Sequence, residues 1–178
     1  MAKPRRMREM KKRSQATRPG PPITVHNRQR AMRVPLAALQ EFAVCALTEC
    51  LKIPGKKRSG LASVAELSVI LVSNRRMAEL HRRFLHLPGP TDVITFQHGE
   101  IFVSTETARS HARRFGNSVE GELRLYIAHG LLHLHGFDDK NSADAAEMER
   151  AQKELVASVL LERRSWTAAP ARRTTRIG

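Results

Sequence analysis

The stretch from Ser118 to Gly136 limits the possible folds of this chain more than any other. Val119, Leu123, Leu125, Ile127, Ala128, Leu131 and Leu132 would spread apolar side chains around most of a helix, and Ser118 and Gly136 supply its cap and its stop. A helix with so broad an apolar surface is buried on several sides, so the rest of the domain has to be built around it. The same stretch carries His129 and His133. Residues at i and i+4 lie about 40° apart around a helix, so both imidazoles project from one face.

The elements around it are marked by punctuation and period. Ile23-Thr-Val-His reads as a short strand, and Leu36 to Leu51, with Pro35 before it, has helical apolar spacing. Lys52 to Gly60 is a loop, and Glu66 to Ser73 is a buried strand. Ser73 or Asn74 caps a helix to about Leu85, and Leu87-Pro-Gly-Pro90 breaks the chain. Asp92–Phe96 and Glu100–Ser104 flank a Gln-His-Gly link and form a hairpin. Ser104 or Thr105 caps a helix to about Phe115, and Ser142 to Leu161 is the last helix. Strands and helices mix without regular βαβ alternation. The expected class is α+β, a small mixed sheet of about four strands packed with five or so helices. The folded domain is expected to span 23–162.

The net charge is +14, but twelve of those charges lie in the tails. Residues 1–18 carry +7 and residues 163–178 carry +5, so the body between them is close to neutral. Residues 1–22, which end in Arg18-Pro-Gly-Pro-Pro22, read as a basic disordered arm, and 163–178 as a basic C-terminal tail. Such arms suit an RNA partner, because Lys and Arg displace counterions from phosphate without sequence contacts; solubilising tails, or a start at Met7 or Met10, are the alternative reading. No apolar run approaches the ~18 residues of a membrane span, and no signal-peptide core is present. Cys45 and Cys50 fall on different faces of their helix, which excludes a disulfide framework. These features point to a soluble, cytoplasmic chain with no membrane partner.

The chemistry centres on His129-Gly-Leu-Leu-His133-Leu-His135-Gly136-Phe-Asp138-Asp139. Two imidazoles one turn apart can share one tetrahedral ion. Gly136 lets the backbone turn, so Asp139 can swing back as a third ligand and leave a fourth position for water, the arrangement of a catalytic zinc. His135 faces away. Zinc peptidases place a glutamate general base directly after the first histidine. Here that residue is Gly130, which cannot move a proton, so a peptidase reading loses its main catalytic group.

At these residues the sequence resembles the YbeY endoribonucleases, which mature ribosomal RNA. The likeness extends to Pro90-Thr91-Asp92-Val93-Ile94-Thr95-Phe96, to Gly99-Glu100-Ile101 and to Ile23-Thr-Val-His-Asn27, and covers roughly residues 23–160. It implies an α+β fold, one zinc per chain, cleavage of single-stranded RNA, and association with the small ribosomal subunit. The family's usual third histidine is Asp139 here, and the arginine that commonly follows the aromatic residue of an earlier helix is Leu85. Arg82 or Arg83 is then expected to contact phosphate, and Asp138 to support the metal ligand from behind. Carboxylate oxygen is an acceptable zinc ligand. A non-catalytic, ribosome-associated RNA-binding factor with a structural or absent metal is the other reading. His98 beside the hairpin is a weaker candidate ligand; Asp92 is expected to fix local backbone, and His81, His86 and His111 to lie on helix surfaces.

Overall fold

The computed structural model describes residues 20–56 and 59–168. The arm expected at 1–22 therefore lies outside the described residues up to position 19, as does the basic tail from 169 onward. Four strands and five helices make up the domain: β1 (Ile23–Asn27), α1 (Leu36–Cys50), β2 (Leu67–Val72), α2 (Asn74–Leu85), β3 (Val93–Phe96), β4 (Glu100–Ser104), α3 (Thr105–Phe115), α4 (Val119–Leu134) and α5 (Ser142–Ala168). A 3₁₀ turn at Leu61–Ser63 precedes β2. The last helix runs past the expected Leu161 to Ala168, so the first residues assigned to the tail are helical.

The strands lie in the order β1-β2-β4-β3. β1, β2 and β4 are parallel, and β3 pairs antiparallel with β4. The class is α+β with a mixed sheet, as expected. The chain nonetheless contains a parallel β1-α1-β2 unit, which the irregular strand spacing conceals. Alternation along the strands sorts side chains to two faces. Leu67, Val69, Leu71, Ile101 and Val103 belong to the main core, which α1, α4 and α5 close. Ile70, Phe102 and Ile94 pack with Met77 and Leu80 of α2 on the other face.

The helix read as central is central. Leu123, Ile127, Leu131, Leu132 and Leu134 of α4 are fully buried between sheet and helices. Its start is capped by Ser118 Oγ, which accepts from Gly121 N at 3.0 Å. Ser73 and Ser104 cap α2 and α3 in the same way. The edge strand β1 is covered by Gln40 of α1, which donates to Ile23 O at 2.9 Å and accepts from Val25 N at 2.7 Å. That occupies an edge that would otherwise offer free backbone groups.

Candidate metal centre

At the end of α4 the chain reverses sharply. Phe137 N donates to Leu132 O and Gly136 N to His133 O, both at 3.0 Å, and Gly136 takes φ +91°. This left-handed turn requires glycine at little cost and strain from other residues. It carries Asp138 and Asp139 back alongside the helix. Asp139 Oδ2 thereby stands 3.6 Å from His129 Nε2 and 3.8 Å from His133 Nε2. The two Nε2 atoms are 3.0 Å apart.

The far side of each ring fixes its orientation. His133 Nδ1 donates to the carbonyl oxygen of Phe137 at 3.1 Å, and His129 Nδ1 to Gln152 Oε1 of α5 at 3.0 Å. With both Nδ1 protons directed away, both Nε2 lone pairs face the same point, beside a carboxylate oxygen. Two acceptors so close repel unless a proton or a cation lies between them. Ligands at about 2.0–2.1 Å on a tetrahedral ion stand roughly 3.3 Å from each other, close to the spacings found here. One ligand atom from each of His129, His133 and Asp139 lies within 4.8 Å of the others, so the three can hold a metal ion. Burial holds His133 below the ordinary histidine value, with His129 acting in the same direction and Asp139 opposing it. The imidazole is thereby kept in the neutral form that a metal ligand requires.

The group opens onto a cleft of about 390 Å³ between the end of α4 and the β3 edge, lined among others by Leu85, Val93, Thr95, Asp138 and Lys140. Asp138 Oδ1 accepts from the amide of Asp139 at 2.9 Å, and Lys140 Nζ reaches Asp138 Oδ2 at 2.8 Å. These bonds draw its carboxyl below the usual aspartate value, the Lys140 contact contributing most. Asp138 thus steadies the backbone of its neighbour. Arg82 and Arg83 are exposed on the last turn of α2 and are not among the residues that line the cleft; Leu85 is. The Arg83 guanidinium instead lies over the Phe84 ring, 5.4 Å from its centroid.

The remaining candidates fall elsewhere. His98 pairs with Glu100 Oε2 at 2.9 Å and stacks on Phe96, outside the three-residue group. Asp92 accepts from Val93 N and Thr91 Oγ1, a local backbone role as expected. His135 is buried on the opposite side of the helix end, bonded to Ile53 O and Ser59 Oγ. His111 departs from the surface role expected of it: half-buried, it meets Tyr126 Oη at 2.7 Å and ties α3 to α4. Gln152 is the site residue that motif reading missed. Position 130 faces Ile101 of β4, where an ideal Cβ would collide. The absence of a glutamate there therefore follows from how closely α4 packs on the sheet.

A family model described as Endoribonuclease YbeY matches residues 24–160. The chain belongs to the YbeY endoribonuclease family. An endoribonuclease YbeY of Thermobifida fusca is 36% identical over 111 residues, covering 53% of this chain and 72% of the relative. Another, from Micrococcus luteus, is 38% identical over 112 residues, covering 54% and 71%. Among solved structures, the solution structure of TM1509 from Thermotoga maritima is similar at a TM-score of 0.54 and 33% identity, covering 86% of this chain and 99% of that one. The YbeY-type segment contains all four strands but for the first residue of β1, together with the whole His129–Asp139 turn.

Proposed function

We propose that this chain is a zinc-dependent endoribonuclease that cleaves single-stranded RNA during ribosomal RNA maturation and ribosome quality control, in the cytoplasm and in association with the small ribosomal subunit. The observation that carries this reading is the convergence of two inward-facing Nε2 atoms and the Asp139 carboxylate on one point of an open cleft, in a member of an endoribonuclease family. His129, His133 and Asp139 are the ligands, and zinc suits two neutral nitrogens with one carboxylate. Bound there, it supplies Lewis acidity toward a phosphoryl oxygen and makes a bound water more acidic. The protein's share is placement. Gln152 and the Phe137 carbonyl keep the rings aimed, Asp138 keeps the Asp139 loop closed, and Lys140 offers positive charge to a phosphate entering the cleft.

Elemental analysis of wild type and Asp139→Ala, purified without chelators, tests the ligand set. Cleavage of a short single-stranded RNA before and after chelation tests the activity. About one zinc per wild-type chain, its loss in the variant and chelator-sensitive cleavage are expected. Full cleavage by metal-free protein would overturn the reading. A wild type that takes up no zinc and cuts nothing, yet binds RNA, would make the chain an RNA-binding factor.

A further inference from the structure

The N-termini of α2 and α3 converge at the C-terminal ends of β2 and β4, at the opposite end of α2 from the metal cleft. They are locked together. Asn74 Oδ1 accepts from Ser104 Oγ and, at 2.9 Å, from Thr107 Oγ1, and Asn74 N donates to Glu106 Oε2 at 2.7 Å. Beside this junction opens a second concavity of about 540 Å³, lined by Asn74, Glu106, Arg109, Ser110, Arg113 and Arg114. Its charge is unbalanced. Glu106 is the only acid in the lining; its carboxylate is bonded to the Asn74 amide and makes no ion pair with Arg109 one turn away. Arg109 and Arg113 stand at i and i+4, where like charges repel, and neither has an acidic partner among the described residues. Arg114 lies over the Phe115 ring.

From this pocket α2 leads to the other site. Asn74 lines the arginine pocket and Leu85 lines the metal cleft, about 16 Å apart at 1.5 Å of rise per residue. Arg75 and Arg82, and likewise Arg76 and Arg83, are two turns apart and so lie almost in line along α2. Glu79 pairs with Arg76 at 3.1 Å and approaches Arg75 at 3.8 Å, leaving Arg82 and Arg83 without an acidic partner among the described residues. The acid-free positive charge of α2 thus lies at its C-terminal end, while that beside its N-terminal end comes from Arg109 and Arg113 of α3.

We propose that the Arg109–Arg113 pocket is a second anion site, which holds a backbone phosphate of the same single-stranded RNA several nucleotides from the one at the metal cleft. The proposal rests on the endoribonuclease reading above and adds to it a substrate subsite and a minimum length. The pocket's rigid junction suits it to the backbone rather than to a base, since it offers guanidinium groups and no open aromatic face. An RNA too short to span α2 gains nothing from it.

The test compares full-length wild type with Arg109→Ala/Arg113→Ala. Binding of a 2′-O-methyl oligonucleotide of about 12 nucleotides is followed by fluorescence anisotropy across a salt series. Cleavage of the matching RNA and of a dinucleotide is followed in parallel. The variant should bind the long strand roughly tenfold more weakly, with its salt slope reduced by about 0.7, the value for one lost phosphate contact on a single strand. KM for long RNA should rise with kcat unchanged, and dinucleotide cleavage and thermal unfolding should match wild type. Arg109→Lys/Arg113→Lys should recover most of the affinity. Unchanged affinity and salt slope in the alanine variant would overturn the proposal while leaving the nuclease reading intact, and would assign the arginines to an acidic protein partner or to bulk solvation. Wild type that neither binds nor cleaves RNA would overturn both.

Discussion

Gln152 Oε1 accepts a hydrogen bond from His129 Nδ1 at 3.0 Å, joining α5 to the His129 ring across 23 residues of sequence. The bond fixes which nitrogen of His129 carries the proton and where Nε2 points. Outer partners of this kind typically contribute 10–100-fold to metal affinity. Gln152→Ala should therefore lower zinc affinity by about that factor, read by competition with a chromophoric chelator, with far-ultraviolet circular dichroism unchanged. Unaltered affinity would show that the Phe137 and Asp139 side of the site is sufficient to orient the group.

Gln152 also shows where sequence reading stops. The clustering of His129, His133 and Asp139 was legible because its signals are local: two histidines one turn apart, then a glycine that lets the chain reverse. The hairpin and the serine caps were legible for the same reason. Gln152 belongs to a different helix, and its one mark is being polar on the buried stripe formed by Met148, Leu155 and Val159. The parallel pairing of β1 with β2 and of β2 with β4 depends on α1 and α2 crossing opposite faces of the sheet. No short-range period records that. His111 looked like a surface residue on α3 because its partner, Tyr126, stands on α4. Leu85 was recognised as a departure from the family arginine, but its place in the cleft wall required the fold.

Gly130 is constrained by packing rather than by chemistry. A Cβ at this position collides with Cγ2 of Ile101, a fully buried β4 residue. Alanine favours helix by about 1 kcal/mol over glycine, but overpacking a close helix–sheet contact costs about 1–3 kcal/mol. Gly130→Ala should be net destabilising in urea unfolding, and combining it with Ile101→Ala should give a smaller loss than the two single effects added together. Strict additivity would mean that the helix shifts freely and that the contact does not fix its height above the sheet.

His135 acts as a clasp. Its Nε2 donates to Ile53 O at 2.8 Å and its Nδ1 accepts from Ser59 Oγ at 3.0 Å, while Lys56 N and Gly60 N bond the carbonyls of His135 and Leu134. The loop after α1 thus satisfies the otherwise open carbonyl end of α4. His135→Ala removes both bonds and the packing of a buried ring, and leaves the half-buried Ile53 carbonyl without its donor; it should cost about 1–3 kcal/mol. Zinc content should stay at the wild-type value, since His135 lies on the other side of the helix end from His129, His133 and Asp139. Loss of zinc at full folding would show instead that the clasp sets the position of the Gly136 turn.

Cys50 predicts an alkaline limit to stability. The thiol is fully buried at the end of α1, and burial pushes it up from 9.0 to about 12. In the unfolded chain it ionises near its ordinary value, so above about pH 9 the unfolded state has lost a proton that the folded state still holds. Stability therefore falls as pH rises from about 9 toward 12, by up to about 1.4 kcal/mol per pH unit from this group. Tyr126, also raised by burial, adds to the loss once its own ordinary range is passed. Urea unfolding at pH 8, 9 and 10 should show the decline, and Cys50→Ala should flatten it at the expense of a small cavity. An equally steep decline in the variant would assign the limb to Tyr126. The half-exposed Cys45 should react with a thiol reagent in the native protein, and Cys50 only after unfolding.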